Sequence, residues 1–201
     1  GATLVKATGG TGISVGTSTG NIDIDTTAVT GTGGAGIVAT SSGGIIDIKN
    51  TGAVTGTAGA GISATGVAGN GNVIIDSDAD VTGSTDGIVA TTTGSGTVTV
   101  NTTGATLVKG TAGKGINASS NTGTIDIDTA AVTGGTDGIS AVAGGAATIT
   151  IDTAGDVTGG SSGKGPSTFV RYRKGQCRGM QNSLRVITEV HEEWARRFGR
   201  S

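Results

Sequence analysis

The sequence predicts an all-β fold, a parallel β-helix of about six to seven rungs with three short strands in each rung. Three marks recur together along residues 1–165: a Gly-Ile dipeptide, a valine followed by Thr or Lys, and two apolar residues spaced two apart. A short period with several β-type marks is typical of a solenoid. The Gly-Ile isoleucines recur at steps of 24, 25, 26, 28 and 23 residues: Ile13, Ile37, Ile62, Ile88, Ile116 and Ile139.

The other two marks predict the first and third strands of each rung. Apolar residues alternate with polar or small ones, which is the period of a strand with one buried face. The abundance of Gly and β-branched residues excludes amphipathic helices in this region. The first-strand valines are Val5, Val29, Val54, Val81, Val108, Val132 and Val157. The third-strand pairs are Ile22/Ile24, Ile46/Ile48, Val73/Ile75, Val98/Val100, Ile125/Ile127 and Ile149/Ile151.

Stacking of equivalent residues predicts inward columns made by these apolar residues. A further inward column of small residues follows the Gly-Ile isoleucines: Val15, Ala39, Ala64, Ala90, Ala118 and Ala141. Adjacent rungs lie about 4.8 Å apart in such a stack, and we expect a right-handed coil. A longer repeat overlies the short one, because residues 104–109 have the same sequence as residues 1–6. This suggests growth by duplication of blocks of four rungs.

Composition divides the chain into repeats at 1–165 and a tail at 166–201. All Arg, all Glu and all aromatic residues lie in the tail, as do Pro166 and Cys177. The net charge is −7 for the repeats and +5 for the tail. An acidic body argues against nucleic-acid binding, and no long apolar run predicts a transmembrane segment. The lone Cys177 allows no disulfide within the chain.

The tail is predicted to contain an amphipathic helix over residues 181–199. Leu184, Ile187, Val190, Trp194 and Phe198 share one face of that helix. Two interpretations stay open. The helix caps the last rung, as solenoid ends require, or the tail is foreign to the repeats, from a shifted reading frame or a gene junction. Whether Gly1 is a true start also stays open.

The most ordered polar feature is a column of Asp residues on the third strand. A cation-binding ridge is one interpretation, but Asp that hydrogen-bonds to nearby backbone is favoured. Paired carboxylates for polysaccharide cleavage could be sought at Asp23, Asp25 and Asp47, or at Asp126 and Asp128, but the repeats lack Arg, His and aromatic residues. The column contains Asp25, Lys49, Asp76, Asn101, Asp128 and Asp152.

We assign no functional site to the other candidate residues. The Thr column after the first-strand valines (Thr30, Thr55, Thr82, Thr133 and Thr158) could bind ice, but Lys6 and Lys109 interrupt it. His191 and Cys177 are too few for a metal site. The Gly-rich residues 31–36 lack the Lys-Ser/Thr of a phosphate loop. We therefore assign no catalytic, cofactor-binding or metal-binding residue and expect no cofactor.

The repeats Ala-Val-Thr-Gly, Gly-Ile-x-Ala and Ile-Asp-Ile-Asp-Thr resemble the parallel β-helix passenger regions of bacterial autotransporters and haemagglutinin-like surface adhesins. The resemblance covers about residues 1–165. It implies a secreted or cell-surface rod, exported through a C-terminal translocator barrel, and it implies no catalytic residues. The tail departs from that pattern, which puts the export route in doubt.

The sequence thus leads to three functional hypotheses. The first is a non-catalytic structural or adhesive rod at the bacterial surface, contacting glycans or proteins or associating with itself through the solenoid ends. The second is a β-helix enzyme that acts on polysaccharide. The third is a solenoid with no activity of its own.

Overall fold

The chain folds into a parallel β-solenoid of about six rungs. The computed structural model describes residues 4–69, 71–145 and 147–160, and every regular element within them is a β-strand. This confirms the predicted fold class. The tail helix lies outside the described residues, as does its proposed role as a cap, and the handedness of the coil stays a prediction.

The strands form three parallel ladders that run the length of the solenoid. The first ladder carries the Val-Thr-Gly strands: β1 (Val5–Ala7), β4 (Val29–Gly31), β7 (Val54–Gly56), β10 (Val81–Gly83), the ends of β12 (Val98–Gly110) and β14 (Ile125–Gly134), and β17 (Val157–Thr158). The central ladder carries the Gly-Ile strands: β2 (Ile13–Thr17), β5 (Ile37–Ser41), β8 (Ile62–Gly66), β11 (Ile88–Thr92), β13 (Ile116–Ser120) and β15 (Ile139–Ala143). The third ladder carries β3 (Ile22–Thr26), β6 (Ile46–Asn50), β9 (Val73–Ser77), the starts of β12 and β14, and β16 (Ile149–Thr153).

Equivalent residues of successive rungs pair directly, as the period predicts. In the central ladder Ile88 pairs with Ile62 on one side and with Ile116 on the other. In the first ladder Val81 lies between Val54 and Val108. One residue from each rung fills the predicted third-ladder column: Ile22, Ile46, Val73, Val98, Ile125 and Ile149. All six are buried, which confirms the predicted inward column.

The core is one continuous stack of aliphatic side chains. Isoleucines and valines from the three ladders meet inside the coil, and the alanine column forms its narrow side. Ile88, Ala90 and Val81, from one rung, are each 0% exposed. The described part of this stack is entirely aliphatic, so its cohesion comes from many small, close contacts between isoleucine, valine and alanine side chains.

Two further inward columns are polar, and the sequence did not predict them. They occupy the last residue of the central and third strands, two positions beyond the apolar pair. In the third ladder the Asn50 Nδ2 atom donates to Ser77 Oγ at 2.7 Å, and Thr102 Oγ1 lies 2.7 Å from Thr129 Oγ1. Burial of these groups is tolerated because hydrogen bonds replace most of their contacts with water, although the buried Asn50 Oδ1 has no partner among the described residues.

The second polar column lies at the corresponding corner of the central ladder. Ser41 Oγ accepts a hydrogen bond from Gly44 N at 2.9 Å, and Ser120 Oγ accepts one from Gly123 N at the same distance. Thr92 Oγ1 donates to Gly96 O at 2.9 Å. These side chains satisfy turn backbone that points into the coil, so they act as local substitutes for strand pairing where the chain bends.

Glycines allow the chain to turn sharply between the first and second strands of each rung. A Cβ added at Gly12 would lie 2.6 Å from Val29 Cγ1, and one at Gly36 would lie 2.6 Å from Gly61 O. Real Cβ atoms do not approach other atoms so closely. The Gly of each Gly-Ile dipeptide is therefore required by the close packing of one rung against the next.

Burial falls at the first rung, where one predicted inward residue is not buried. Val15 pairs with Ala39 in the small column, yet it is 38% exposed, whereas Ala39 is 0% exposed. Val15 therefore lies in the predicted inward column but is not buried. Its side chain points to the interior, but no described rung covers it on the N-terminal side.

Candidate functional surface

The outward side of the third ladder carries most of the acidic residues of the repeats. Side chains alternate along each strand. The second and fourth residues of each third-ladder strand therefore face outward, and they form two parallel columns. The first column pairs Asp23 with Asp47 and later contains Asp126. We call these two columns the acidic face. The second column is the predicted one, in the predicted order: Asp25, Lys49, Asp76, Asn101, Asp128 and Asp152.

The charges of the acidic face fall into two groups. Asp47 stands at the centre of the first group, which extends from Asp23 to Asp76. Partial burial, followed by repulsion from Asp23, Asp25 and Asp76, raises the pKa of its carboxyl above the usual 3.8, while Lys49 opposes the shift. Directly stacked like charges are unfavourable, so the lysine in the column relieves repulsion.

The second group contains Asp126, Asp128 and Asp152. Partial burial raises the pKa of the Asp128 carboxyl, and repulsion from Asp126 and then from Asp152 adds to that shift. Two uncharged residues of the preceding rung, Thr99 and Asn101, separate this group from the first. No lysine lies in this part of the columns. Repulsion among its carboxylates is therefore reduced only by the surrounding solvent and by protonation.

The outward side of the central ladder differs from the acidic face because it carries no charge. Its two columns contain Ser, Thr, Val, Asn and Gly only, and we call this surface the neutral face. Six strands in register make a continuous ladder of small side chains. Its members are Ser14, Val38, Ser63, Val89, Asn117 and Ser140, and then Gly16, Thr40, Thr65, Thr91, Ser119 and Val142.

The predicted Thr column lies outward on the first ladder, with Lys6 and Lys109 in it. Thr133 Oγ1 and Thr158 Oγ1 lie 3.3 Å apart at its end. The two lysines break the column into short stretches. It therefore presents no long uncharged array, which agrees with its interpretation as a solvated strand surface.

One aspartate outside these faces has a clear structural role. The chain adds residues between the third strand of rung 4 and the first strand of rung 5, and strand pairing shifts between Thr102 and Leu107. Asp80 Oδ1 accepts hydrogen bonds from Thr106 N, Thr106 Oγ1 and Leu107 N at 2.9, 2.5 and 2.9 Å. The Thr106 hydroxyl is the main cause that lowers the pKa of Asp80. This carboxylate fastens the extra residues of β12 to the preceding rung.

A second polar cluster connects three rungs at the neutral face, where Asp86 and Lys114 bind two of its uncharged members, Asn117 and the buried Ser140. Asp86 Oδ1 accepts a hydrogen bond from Lys114 N at 2.7 Å, and Asp86 Oδ2 accepts one from Asn117 Nδ2 at 3.3 Å. Lys114 Nζ donates to Ser140 Oγ at 2.9 Å. The cluster fixes the corner at which rungs 4, 5 and 6 meet.

A shallow open groove of about 620 Å³ lies beside the first acidic group, near the N-terminal end of the solenoid. It offers carboxylate, ammonium and hydroxyl groups but no ring to stack on a sugar. Its lining residues are Val5, Asp25, Thr26, Thr27, Lys49 and Thr51.

The remaining sequence candidates do not converge on a site. Gly31 and Gly36 are packed corner positions of rung 2, so residues 31–36 form a turn of the coil. His191 and Cys177 lie outside the described residues. Within residues 4–69, 71–145 and 147–160, no three His, Cys, Asp or Glu side chains are placed to hold a metal ion, and no helix could cross a membrane.

Comparison with known proteins leaves the family of this chain open. No protein-family model matches the chain, and no solved structure matches it. Over 45 residues the chain is 76% identical to the NADH-dependent phenylglyoxylate dehydrogenase subunit alpha of Aromatoleum evansii. This similarity covers 22% of the chain and 11% of that subunit, so it shows a shared short segment and not membership of the subunit's family.

Proposed function

We propose that the chain is a non-catalytic structural and adhesive rod of a bacterial secreted or cell-surface protein, and that it forms part of a longer passenger region. The observation that carries this proposal is the unbroken register of the three ladders, in which each rung repeats the same inward residues. Such a stack holds its surface residues at fixed spacings over a long distance. This property suits a spacer or a repetitive contact surface.

The surface chemistry supports contact through many weak, repeated interactions. The neutral face offers a hydroxyl group on every rung and methyl groups on four of its six rungs, and the acidic face offers carboxylates in two groups. Glycans and extracellular proteins are the partners that such surfaces suit, because repeated weak contacts gain strength through multivalency. The same acidic surface disfavours nucleic acids.

The location is tested with the complete gene in its own bacterium. We expect an epitope inserted between Thr103 and Gly104, two exposed residues in the irregular part of β12, to be accessible to antibody on intact cells and to be removed by external protease. Detection of the epitope only after cell lysis would contradict the surface location.

The adhesive role is tested with beads that carry the purified chain at high and low density. We expect binding to a panel of extracellular-matrix proteins and surface glycans at high density, and a steep loss at low density. A chain in which Thr40, Thr65 and Thr91 are replaced by Lys tests the neutral face, and Lys at Thr30, Thr55 and Thr82 is the matched control. Equal binding by both variants would exclude the neutral face as the contact surface.

One observation favours a polysaccharide-cleaving enzyme as the second candidate. The pKa of Asp128 is raised beside Asp126, and a general acid next to a carboxylate is the arrangement that glycoside hydrolysis uses. Release of reducing ends from a polysaccharide panel, abolished in Asp128→Asn but retained in Asp152→Asn, would establish this function. No release by the unmodified chain would exclude it for the substrates tested.

A further inference from the structure

The outward column of the third ladder contains an asparagine in rung 4, and this residue begins an N-linked glycosylation motif. Asn101-Thr102-Thr103 fits the pattern Asn-x-Ser/Thr, in which the middle residue is not proline. The other five rungs carry Asp or Lys at this position, and neither side chain has an amide nitrogen that could accept a sugar. The chain contains eight asparagines, and the motif occurs at two of them, Asn101 and Asn117. A chain rich in Ser and Thr contains such motifs by chance, so the geometry at each asparagine must distinguish them.

At Asn101 the hydroxyl of the motif lies against the amide group that would be modified. Asn101 Oδ1 accepts hydrogen bonds from Thr103 Oγ1 at 2.8 Å and from Thr103 N at 3.1 Å. Both bonds use the amide oxygen, and among the described residues Asn101 Nδ2 has no hydrogen-bond partner. Asn101 is partly exposed and Thr103 is exposed, so the nitrogen is open to solvent. A sugar on Nδ2 would therefore break no hydrogen bond within the described part of the chain.

At Asn117, by contrast, both ends of the amide group already have partners. Asn117 Nδ2 donates to Asp86 Oδ2 at 3.3 Å, and Asn117 Oδ1 accepts from Lys114 Nζ at 3.3 Å. These contacts belong to the polar cluster that connects rungs 4, 5 and 6. A transferase would have to open this cluster to reach the nitrogen, so the structure favours Asn101 as the acceptor.

The surroundings of Asn101 also suit a glycan. Asn101 lies between Asp76 and Asp128 in its column, in the uncharged gap that separates the two groups of the acidic face. Sugar hydroxyl groups can donate hydrogen bonds to these two carboxylates. The irregular part of β12 follows directly, and its exposed residues Thr103 and Gly104 would be shielded from protease by a bulky polar group.

We propose that Asn101 is a site of N-linked glycosylation, and that the donor is a sugar attached through its anomeric carbon to a phosphate group. In the transfer, Asn101 Nδ2 forms a bond to the anomeric carbon while the bond from that carbon to the phosphate oxygen breaks. The phosphate leaves with the electron pair, and the amide nitrogen gives one proton to a base of the transferase. Nothing is oxidised or reduced. Asn101 Oδ1 remains a carbonyl oxygen, so it keeps both hydrogen bonds from Thr103.

This proposal rests on the proposed secreted or cell-surface location, because acceptor sites of this type are found on surface segments of secreted proteins. The epitope test described above reports the location alone. A chain that is exposed on intact cells but carries no sugar on Asn101 would overturn the glycosylation and leave the proposed location intact.

The main experiment measures peptide masses after the complete gene is expressed in its own bacterium. The purified protein is denatured and digested with trypsin, which cleaves after Lys and Arg. The two motifs then lie in different peptides, since residues 50–109 contain Asn101 and residues 115–164 contain Asn117. We expect the first peptide to be heavier by the mass of one or more sugars and the second to have the mass of its sequence. A first peptide without added mass would overturn the proposal, as would modification of the second peptide alone.

Substitutions identify the atoms that the transfer requires. We expect the added mass to be lost in Asn101→Gln and in Thr103→Ala, and to be kept in Thr103→Ser, which retains the hydroxyl of the motif. Asn117→Gln is the matched control at the second motif and is expected to keep the added mass on residues 50–109. Added mass that persists in Asn101→Gln would overturn the proposal, because the sugar would then be attached to another side chain.

Cell fractions distinguish the two sources of such a donor. Unmodified chain from a host without N-glycosylation is offered, folded and unfolded, to the soluble fraction of the native bacterium with nucleotide-linked sugars or to its membranes with their lipid-linked sugars. Transfer to Asn101 by the soluble fraction would identify a nucleotide-linked donor, and transfer by the membranes a lipid-linked one. Transfer by neither fraction to either form of the chain would overturn the proposal.

Discussion

The acidic face and the neutral face lie on the same rungs and share one backbone geometry, yet they have opposite surface chemistry. Behind both faces the inward residues are nearly constant, with isoleucine or valine in most columns of the core and alanine in one column of the central ladder. On the outward side one face concentrates carboxylates and the other carries none. The difference shows that the core residues determine the coil, while the outward residues of each ladder are free to differ. The predictions below test this separation of roles.

The largest effect is expected from a charge placed on the inward side of the central ladder. Ile88→Asp buries a carboxylate without a partner among aliphatic side chains, since Ile88 is 0% exposed. We expect a loss of more than about 4 kcal/mol in the free energy of unfolding. Chemical denaturation followed by circular dichroism measures the change.

Two outward variants serve as controls for that experiment. Val89→Asp lies on the same strand and faces solvent on the neutral face, and Thr82→Asp faces outward on the first ladder. Each is expected to cost less than about 1 kcal/mol. Equal losses for Ile88→Asp and the controls would refute the assignment of inward and outward positions.

A smaller loss is expected where a methyl group is added to a rung corner. A Cβ at Gly115 would meet Val132 Cγ1 well inside van der Waals contact and would lie 2.6 Å from Gly138 O. We expect Gly115→Ala to cost about 1–3 kcal/mol through overpacking. Gly16→Ala is the matched control on the neutral face, where the added Cβ has space. A Gly115→Ala chain as stable as the control would contradict the close packing of the corner.

The sequence predicted the ladders well because identical residues repeat at each inward position of a strand. It did not predict the buried polar columns of Asn50, Ser77 and Thr129. The alternation that makes Ile22 and Ile24 inward also makes Thr26 inward, but the prediction of inward columns used apolar and small residues only. The exposure of Val15 was missed for another reason. Periodicity places a residue within a rung but carries no information about whether another rung covers it.

The sequence predicted the order of residues in the Asp column correctly. It did not predict that the charges of the acidic face form two groups. Whether Asp47 is repelled by three other carboxylates depends on the exact pairing of rungs whose lengths differ. The contact of Asp80 with the extra loop was missed because it joins residues 26 and 27 apart through backbone donors. Only the fold brings these groups together.

The pH dependence of stability is expected to differ between the aspartates of the acidic face and Asp80. The pKa values of Asp47 and Asp128 are raised in the folded chain, so both bind protons more readily folded than unfolded. Stability therefore increases as pH falls through their raised pKa values towards 3.8. The pKa of Asp80 is lowered, so its stabilising contribution is present above 3.8 and is lost as pH falls below that value.

Denaturation midpoints between pH 7 and pH 3 measure this effect. We expect Asp128→Asn to raise stability at pH 7 and to flatten the increase between pH 7 and pH 4. Asp80→Asn is expected to lower stability at pH 7. If the unmodified chain loses stability steadily as pH falls from 7 to 4, repulsion on the acidic face does not control this range.

The smallest effect is expected from the lysine within the acidic face. Lys49 lies between Asp25 and Asp76 in the outward column and opposes the rise in the pKa of Asp47. We expect Lys49→Gln to lower the melting temperature slightly at low ionic strength and to have no effect in high salt, where charges are screened. Lys109→Gln, on the first ladder, is the control. A loss that persists in high salt would assign Lys49 a packing role instead.

The dependence of each rung on its immediate neighbours has a mechanical consequence. A force applied along the described solenoid acts first on its outermost described rung, whose described strands pair with one neighbouring rung, and the inner rungs carry load only after that rung detaches. Each detached rung releases about 25 residues, or about 80 Å of extended chain. Under load the solenoid is therefore expected to lengthen in a series of nearly equal steps and to dissipate energy at each step.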